Sequence, residues 1–138
     1  MENNKEAWVY FSEILIKQNK YLEVQKISTE RTIRDPGFKE AWYFLGLSLY
    51  KQEKYQESEL AFEKALAIDN NYENALLCSA ASKFKQKKYK DSEEVIKKMI
   101  AIDENNVDAW KILKVIFEKQ GNYSEAIKAN EKIRTFNQ

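Results

Sequence analysis

Apolar residues along this chain fall three and four apart, the spacing that turns one face of an α-helix toward a core. Ala41, Trp42, Leu45 and Leu49 make one such face; Leu60, Ala61, Phe62, Ala65, Leu66 and Ile68 make a second after a polar break. The break, Lys51-Gln52-Glu53-Lys54-Tyr55, has counterparts: Lys-Gln also stands at 17–18, 85–86 and 119–120, with Tyr21, Tyr89 and Tyr123 three residues after each Gln. Each such segment predicts a turn between two helices. The residue after each Gln falls where a helix C-terminus takes positive φ, which suits Gly121 and which Asn19, Glu53 and Lys87 fill at modest cost.

The pattern is also a repeat. Lys5-Glu6-Ala7-Trp8 returns as Lys39-Glu40-Ala41-Trp42, 34 residues on, and Asn74-Ala75-Leu76 and Asp108-Ala109-Trp110 follow at the same interval. Asp35-Pro36-Gly37, Asp69-Asn70-Asn71 and Asp103-Glu104-Asn105-Asn106 end the repeats with turn-forming residues. The expected organisation is a short lead at 1–4 and one all-α domain at 5–138, with repeats at 5–38, 39–72, 73–106 and 107–138. Four antiparallel hairpins, eight helices, are predicted.

Composition trims the function classes. Among 138 residues stand 3 Gly, 1 Pro and no His. Scarce turn-formers argue against a β-sandwich or barrel, and no Gly-rich phosphate loop is present. Without His, a His-based triad and a His-containing zinc site are excluded. The lone Cys78, among Leu76, Leu77 and Ala80, has no cation near it in sequence to activate it and cannot form an internal disulfide. No Gly-shaped nucleophile elbow or S-x-x-K motif supports a Ser or Lys nucleophile. No enzyme activity, cofactor or metal is expected. The polar start, Met1-Glu2-Asn3-Asn4, and the shortness of the most apolar stretch, Tyr43 to Tyr50, point to a cytoplasmic protein without a membrane span.

A 34-residue helix–turn–helix repeat with Trp42, Leu45, Gly46, Tyr55, Phe62 and Ala65 at these places resembles the tetratricopeptide repeat, over residues 5 to 138. Ala126 and Pro36 fit the same pattern. The resemblance implies a right-handed α-solenoid, a superhelix whose first helices line a concave face and whose second helices form the back. Departures stand at Ser28 and Arg31, which occupy the Phe62 and Ala65 columns, and at Lys114 and Asn130 in repeat four. Repeat three carries Ser79 and Lys83 where Leu45 and Leu49 stand. The outermost repeats of such an array must turn a polar face to water, which is the reading given to Ser28, Arg31, Asn130 and Arg134. Ile127, Ile133 and Phe136 on the last helix either pack on their own hairpin or offer an end-on contact to a partner or a second copy.

By the same resemblance, the groove takes the residue after the Trp column and those four and seven further on. These are Val9, Glu13 and Ile16; Tyr43, Leu47 and Tyr50; Leu77, Ala81 and Phe84; and Lys111, Val115 and Glu118. The candidate site is Tyr43, Leu47, Tyr50, Leu77, Ala81, Phe84 and Lys111, an apolar strip with a charged rim suited to a peptide or an amphipathic helix of a partner protein. For Leu77, Ala81 and Phe84 two readings stand, since Ser79 and Lys83 could let that helix rotate and bury the stripe as core.

Some co-chaperones of the family hold a C-terminal carboxylate with a clamp of Lys, Asn, Asn, Lys and Arg. The equivalent places read Val9, Glu13, Phe44, Asn74 and Cys78, so a chaperone-tail clamp is not expected. Lys17, Lys51, Lys85 and Lys119 share a column, with Lys83, Lys87, Lys88 and Lys90 close by, while acids gather at helix starts. That arrangement complements the helix macrodipole; as a basic edge it would meet an acidic partner or RNA. With 23 basic against 22 acidic residues the net charge is +1, which weighs against nucleic acid. The expected role is a protein-interaction scaffold; self-association through the terminal helix is the second reading and RNA contact along the lysine edge a weaker third.

Overall fold

The computed structural model describes residues 4–138, so all but Asn4 of the lead at 1–4 lies outside the described residues. Eight helices follow one another: α1 (Lys5–Lys17), α2 (Tyr21–Arg34), α3 (Lys39–Lys51), α4 (Tyr55–Ile68), α5 (Glu73–Lys85), α6 (Tyr89–Ile102), α7 (Val107–Lys119) and α8 (Tyr123–Thr135). Among the described residues there is no strand, and no helix is long and apolar enough to cross a membrane. The helices form two compact units, Met1–Ala75 and Leu76–Gln138, divided within α5.

The turns inside the repeats share one geometry. Asn19, Glu53, Lys87 and Gly121 all take left-handed backbone, with φ of 60, 63, 64 and 75°. Two backbone hydrogen bonds close each helix end. In repeat one Asn19 N–H donates to Ile16 O and Lys20 N–H to Leu15 O, both at 2.9 Å; in repeat two Glu53 donates to Tyr50 and Lys54 to Leu49, also at 2.9 Å. Repeats three and four reproduce the pair with Lys87–Phe84 and Lys88–Lys83, and with Gly121–Glu118 and Asn122–Phe117. This crossed pair is the Schellman motif, which satisfies carbonyls a helix end would otherwise leave open. One closed geometry at all four turns accounts for the constant Lys-Gln-x-x-Tyr spacing.

The turns between repeats are held by side chains. Trp42 Nε1 donates to the Pro36 carbonyl at 2.9 Å and Trp110 Nε1 to that of Glu104 at 2.8 Å, each reaching six residues back. Asp69 and Asp103 accept from the N–H two residues on, of Asn71 and Asn105. Lys39 pairs with Asp69 and lies 4.9 Å from the Tyr72 ring; Lys5 pairs with Asp35 at 3.5 Å and lies 5.1 Å from Phe38. The hydrogen bond to Asp69 raises the Lys39 amine above its ordinary pKa, and the bonds from Lys39 and the Asn71 N–H hold the Asp69 carboxyl below its own.

In unit one Leu15, Val24 and Phe44 are buried together, with Trp8 edge-on to Phe38 at 5.3 Å and to Phe44 at 5.8 Å. Phe62 is wholly buried and lies against Gly46: a Cβ there would stand 2.6 Å from Phe62 Cε1. Only a residue without a side chain admits the ring at that distance. Ser12 and Ser28 are also wholly buried; Ser12 Oγ donates to the Trp8 carbonyl, while Ser28 Oγ is buried without a hydrogen-bond partner.

Ser28 thus departs from the expectation of a solvated end face, being covered by its own unit. Arg31 is half-buried, its guanidinium 4.8 Å from the Phe38 ring and 5.9 Å from Trp8, so it acts as a lid on the aromatic cluster. Asn130 is half-buried and Arg134 exposed, in keeping with the polar end.

Unit two has an aliphatic core of Ile96, Met99, Leu113, Ile116, Ala126 and Ala129, with Phe117 its buried ring. Ser92 Oγ donates to the Ala80 carbonyl at 2.8 Å, tying α6 to α5. The substitution at Ser79 leaves that residue buried, beside buried Leu76, Ala80 and Ser82; Leu77, Ala81 and Phe84 remain half-buried.

Candidate partner-binding groove

Every one of the twelve groove-column residues is half-buried or exposed, whereas their neighbours Phe44, Leu76, Ala80 and Leu113 are buried. Helix periodicity produces this. With Ala41, Phe44 and Leu49 turned into the core, Tyr43, Leu47 and Tyr50 must lie toward one flank of α3.

In unit one that flank is a cavity of about 370 Å³ between α1 and α3. Its walls include Val9, Ile16, Tyr43, Leu47 and Tyr72; Glu13, Lys17, Glu40 and Asn74 stand around them. A second cavity, of about 530 Å³, shares Val9, Glu13 and Glu40 with the first and runs toward the helix starts, past Glu6, Tyr10, Phe38 and Ile68. The two therefore form one trough along the first helices. Val9, Ile16, Tyr43 and Leu47 are also packed on the Leu15–Val24–Phe44 core, so their inner sides support the fold while their outer sides line the trough.

Tyr50 and Phe84 do something the sequence did not reveal. The Tyr50 ring sits edge-on to Tyr55 at 5.2 Å, and Phe84 edge-on to Tyr89 at the same distance and the same 67° angle. Each closes its hairpin by stacking on the Tyr that opens the next helix. In repeat four the column holds Glu118, and Tyr123 is left 65% exposed. Leu77 and Ala81 are half-buried on α5, and Lys111 is exposed on α7.

The Gln of the Lys-Gln pair also has a role that spacing alone did not assign. Gln52 Nε2 donates to Gln25 Oε1 at 2.8 Å, and Gln120 Nε2 to Glu93 Oε1 at 3.0 Å, each reaching the second helix of the preceding repeat. Glu93 is 5% exposed, yet its carboxyl is held below its ordinary pKa. Burial pushes it up; hydrogen bonds from Lys97 and Gln120 and the charges of Lys97 and Lys90 outweigh that. Among the described residues no group of three or more His, Cys, Asp or Glu is placed to hold a metal.

Four hairpins of this geometry define a helical-repeat protein of the tetratricopeptide class. Within that class, residues 3–136 match the family model of the cilia and flagella-associated protein 70 middle TPR-like domain, and the chain belongs to that family. No curated protein sequence matches it. Among solved structures, MamA superposes with a TM-score of 0.88 at 19% identity, over 97% of this chain and 78% of that one. MamA from Desulfovibrio magneticus gives 0.83 at 20% identity, over 95% and 74%. The first TPR of Spaghetti (RPAP3) bound to the HSP90 peptide SRMEEVD gives 0.77 at 20%, over 81% and 89%. At these identities the likeness is one of fold.

Proposed function

We propose that this chain is a protein-interaction module, with no chemistry of its own, that holds a short segment of a partner protein against its first helices. The observation that carries the reading is the trough between α1 and α3, where Val9, Ile16, Tyr43 and Leu47 line a cavity while their inner sides rest on a fixed core. A wall fixed in this way binds without being ordered by its ligand, so the partner bears most of the entropic cost. Leu77, Ala81, Phe84 and Lys111 are assigned the same role on α5 and α7, with Tyr50 and Phe84 also closing their hairpins.

The HSP90 peptide of the RPAP3 complex is acidic at its end. A ligand of that kind does not suit this trough: the clamp places hold Val9, Glu13, Phe44, Asn74 and Cys78, without a cation. We read the four hairpins, 5–138, as one array serving one interaction. The test is Leu47→Lys, assayed by thermal melting and by binding of peptides selected from a displayed library on the intact chain. Retained melting with lost binding is the expected outcome. A stability loss of about 2–5 kcal/mol in Leu47→Lys, together with unchanged peptide binding by the milder Leu47→Gln, would instead mark Leu47 as core and end the reading.

A further inference from the structure

The charge around the trough says what kind of segment it takes. Three lysines line it, but Lys5 is paired with Asp35 and Lys39 with Asp69, both ion pairs lying within unit one. That leaves Lys17, at the end of α1, against Glu6, Glu13 and Glu40; Lys39 also attracts Glu40, but none of the three acids makes an ion-pair contact among the described residues. Glu6 and Glu40 sit in first helical turns, where the macrodipole accounts for an acid. Glu13 does not: it stands in the third turn of α1, exposed, on the wall common to both cavities, and its column is Leu47, Ala81 and Val115 in the other repeats. Lys17, four residues on, is the one cation its own helix offers it, worth at most about 0.5 kcal/mol as a helix pair, and the two make no ion-pair contact among the described residues. What sets Glu13 apart is an acid on the trough wall where the other repeats carry apolar residues.

Resting on the interaction reading above, we infer that the unit-one trough takes a cationic amphipathic segment of another protein. Its apolar side chains seat on Val9, Tyr43 and Leu47, and its Lys or Arg side chains meet Glu6, Glu13 and Glu40. The acids flank an apolar floor, so a cation reaching them stays at the wet rim and need not be desolvated. The polarity is fixed as well: the segment's most basic end lies at the starts of α1 and α3, and its least basic end near Lys17.

The test compares labelled peptides with the full chain by fluorescence anisotropy. Three share one leucine stripe, with polar faces of Lys, Gln or Glu; a fourth scrambles the Lys peptide. Three rim pairs predict binding of the Lys peptide about five- to tenfold tighter than the Gln peptide, with the Glu peptide weakest. The preference should shrink as salt rises. Replacing Glu6, Glu13 and Glu40 together by Gln should remove the preference among the three striped peptides, with melting measured alongside because Glu6 and Glu40 also complement their helix dipoles. A lost preference in a chain that still melts cooperatively is the expected result, and a preference that persists overturns the inference. Leu47→Lys, with the milder Leu47→Gln in case the first does not fold, should weaken all three striped peptides.

Equal binding of the three striped peptides, still dependent on Leu47, would overturn the charge inference and leave the interaction reading standing. Binding of the scrambled peptide as tightly as the striped one, or of none of the four, would overturn both.

Discussion

In unit one the pair α3–α4 is closed by a Phe62 ring lying against Gly46, whereas the same two columns hold Ala80 and Ile96 in repeat three and Lys114 and Asn130 in repeat four. Large meets absent, medium meets small, and at the chain's last hairpin polar meets polar. Shape complementarity across a hairpin is a property of the pair, and either member read alone looks like a departure from pattern. The comparison predicts a large asymmetry. Phe62→Ala should cost about 3–5 kcal/mol in denaturant unfolding followed by helical circular dichroism. Asn130→Ala, at a half-buried position, should stay within about 0.5 kcal/mol. Comparable losses at both sites would mean that the last hairpin depends on its polar pair as much as the second depends on Gly46 and Phe62.

A finer version exchanges the pairs. Gly46→Ala alone forces a Cβ to within 2.6 Å of the ring and should cost about 1–3 kcal/mol. Adding Phe62→Ile copies repeat three into repeat two and gives the methyl somewhere to go. The double variant should be more stable than the sum of its singles by about 0.5–3 kcal/mol in a double-mutant cycle. Additive losses would show that the Gly46–Phe62 contact carries no coupling.

The units also differ in the link from the first-helix Gln to the preceding repeat. Unit one uses a neutral amide pair, Gln52 to Gln25; unit two uses Gln120 to the carboxylate of Glu93, which Lys97 also grips at 2.6 Å. Because the folded carboxyl is held below its ordinary value, its contribution is present above the unfolded pKa and is lost as pH falls through the folded one. Glu93→Gln should therefore cost about 1–3 kcal/mol at neutral pH, the range for a hydrogen-bonded charge, with the difference from the native chain shrinking below about pH 4. Gln25→Ala should cost the same at both pH values. A Glu93→Gln loss independent of pH would mean that packing, rather than charge, is what Glu93 supplies.

Period, helix boundaries and left-handed turn positions were legible from residues such as Tyr55 and Gly121, because each rests on a local rule with one solution. Ser28 was not. A serine in a Phe column reads as a solvated end, and only the packed structure shows that Ser28, like the small Ser12, is wholly buried. Tyr43 and Leu47 were expected in a groove only through the family resemblance; the burial of Ala41, Phe44 and Leu49, which turns them toward the trough flank, comes from the structure. The trough's charge was not visible from spacing. It depends on Asp35 and Asp69, about thirty residues from the lysines they neutralise, and such pairings are set by the fold rather than by a local pattern.

The smallest expected effects lie in the turns, where the two units are most alike. Glu53 in unit one and Lys87 in unit two take φ of 63° and 64°, a region in which a side chain clashes with its own backbone. A Cβ at Gly121 would meet nothing within 4 Å, so strain at this turn is a matter of backbone alone. Gly121→Ala should then lower stability by about 1 kcal/mol, and Glu53→Gly and Lys87→Gly should each raise it by up to about 1 kcal/mol. Asn19→Gly should change little, because Asn adopts this conformation with less strain than Glu or Lys. Equal gains at Glu53 and Lys87 would show that the turn is one device used in both units; a gain in one alone would show that side-chain contacts around the turn, and not φ, decide its stability.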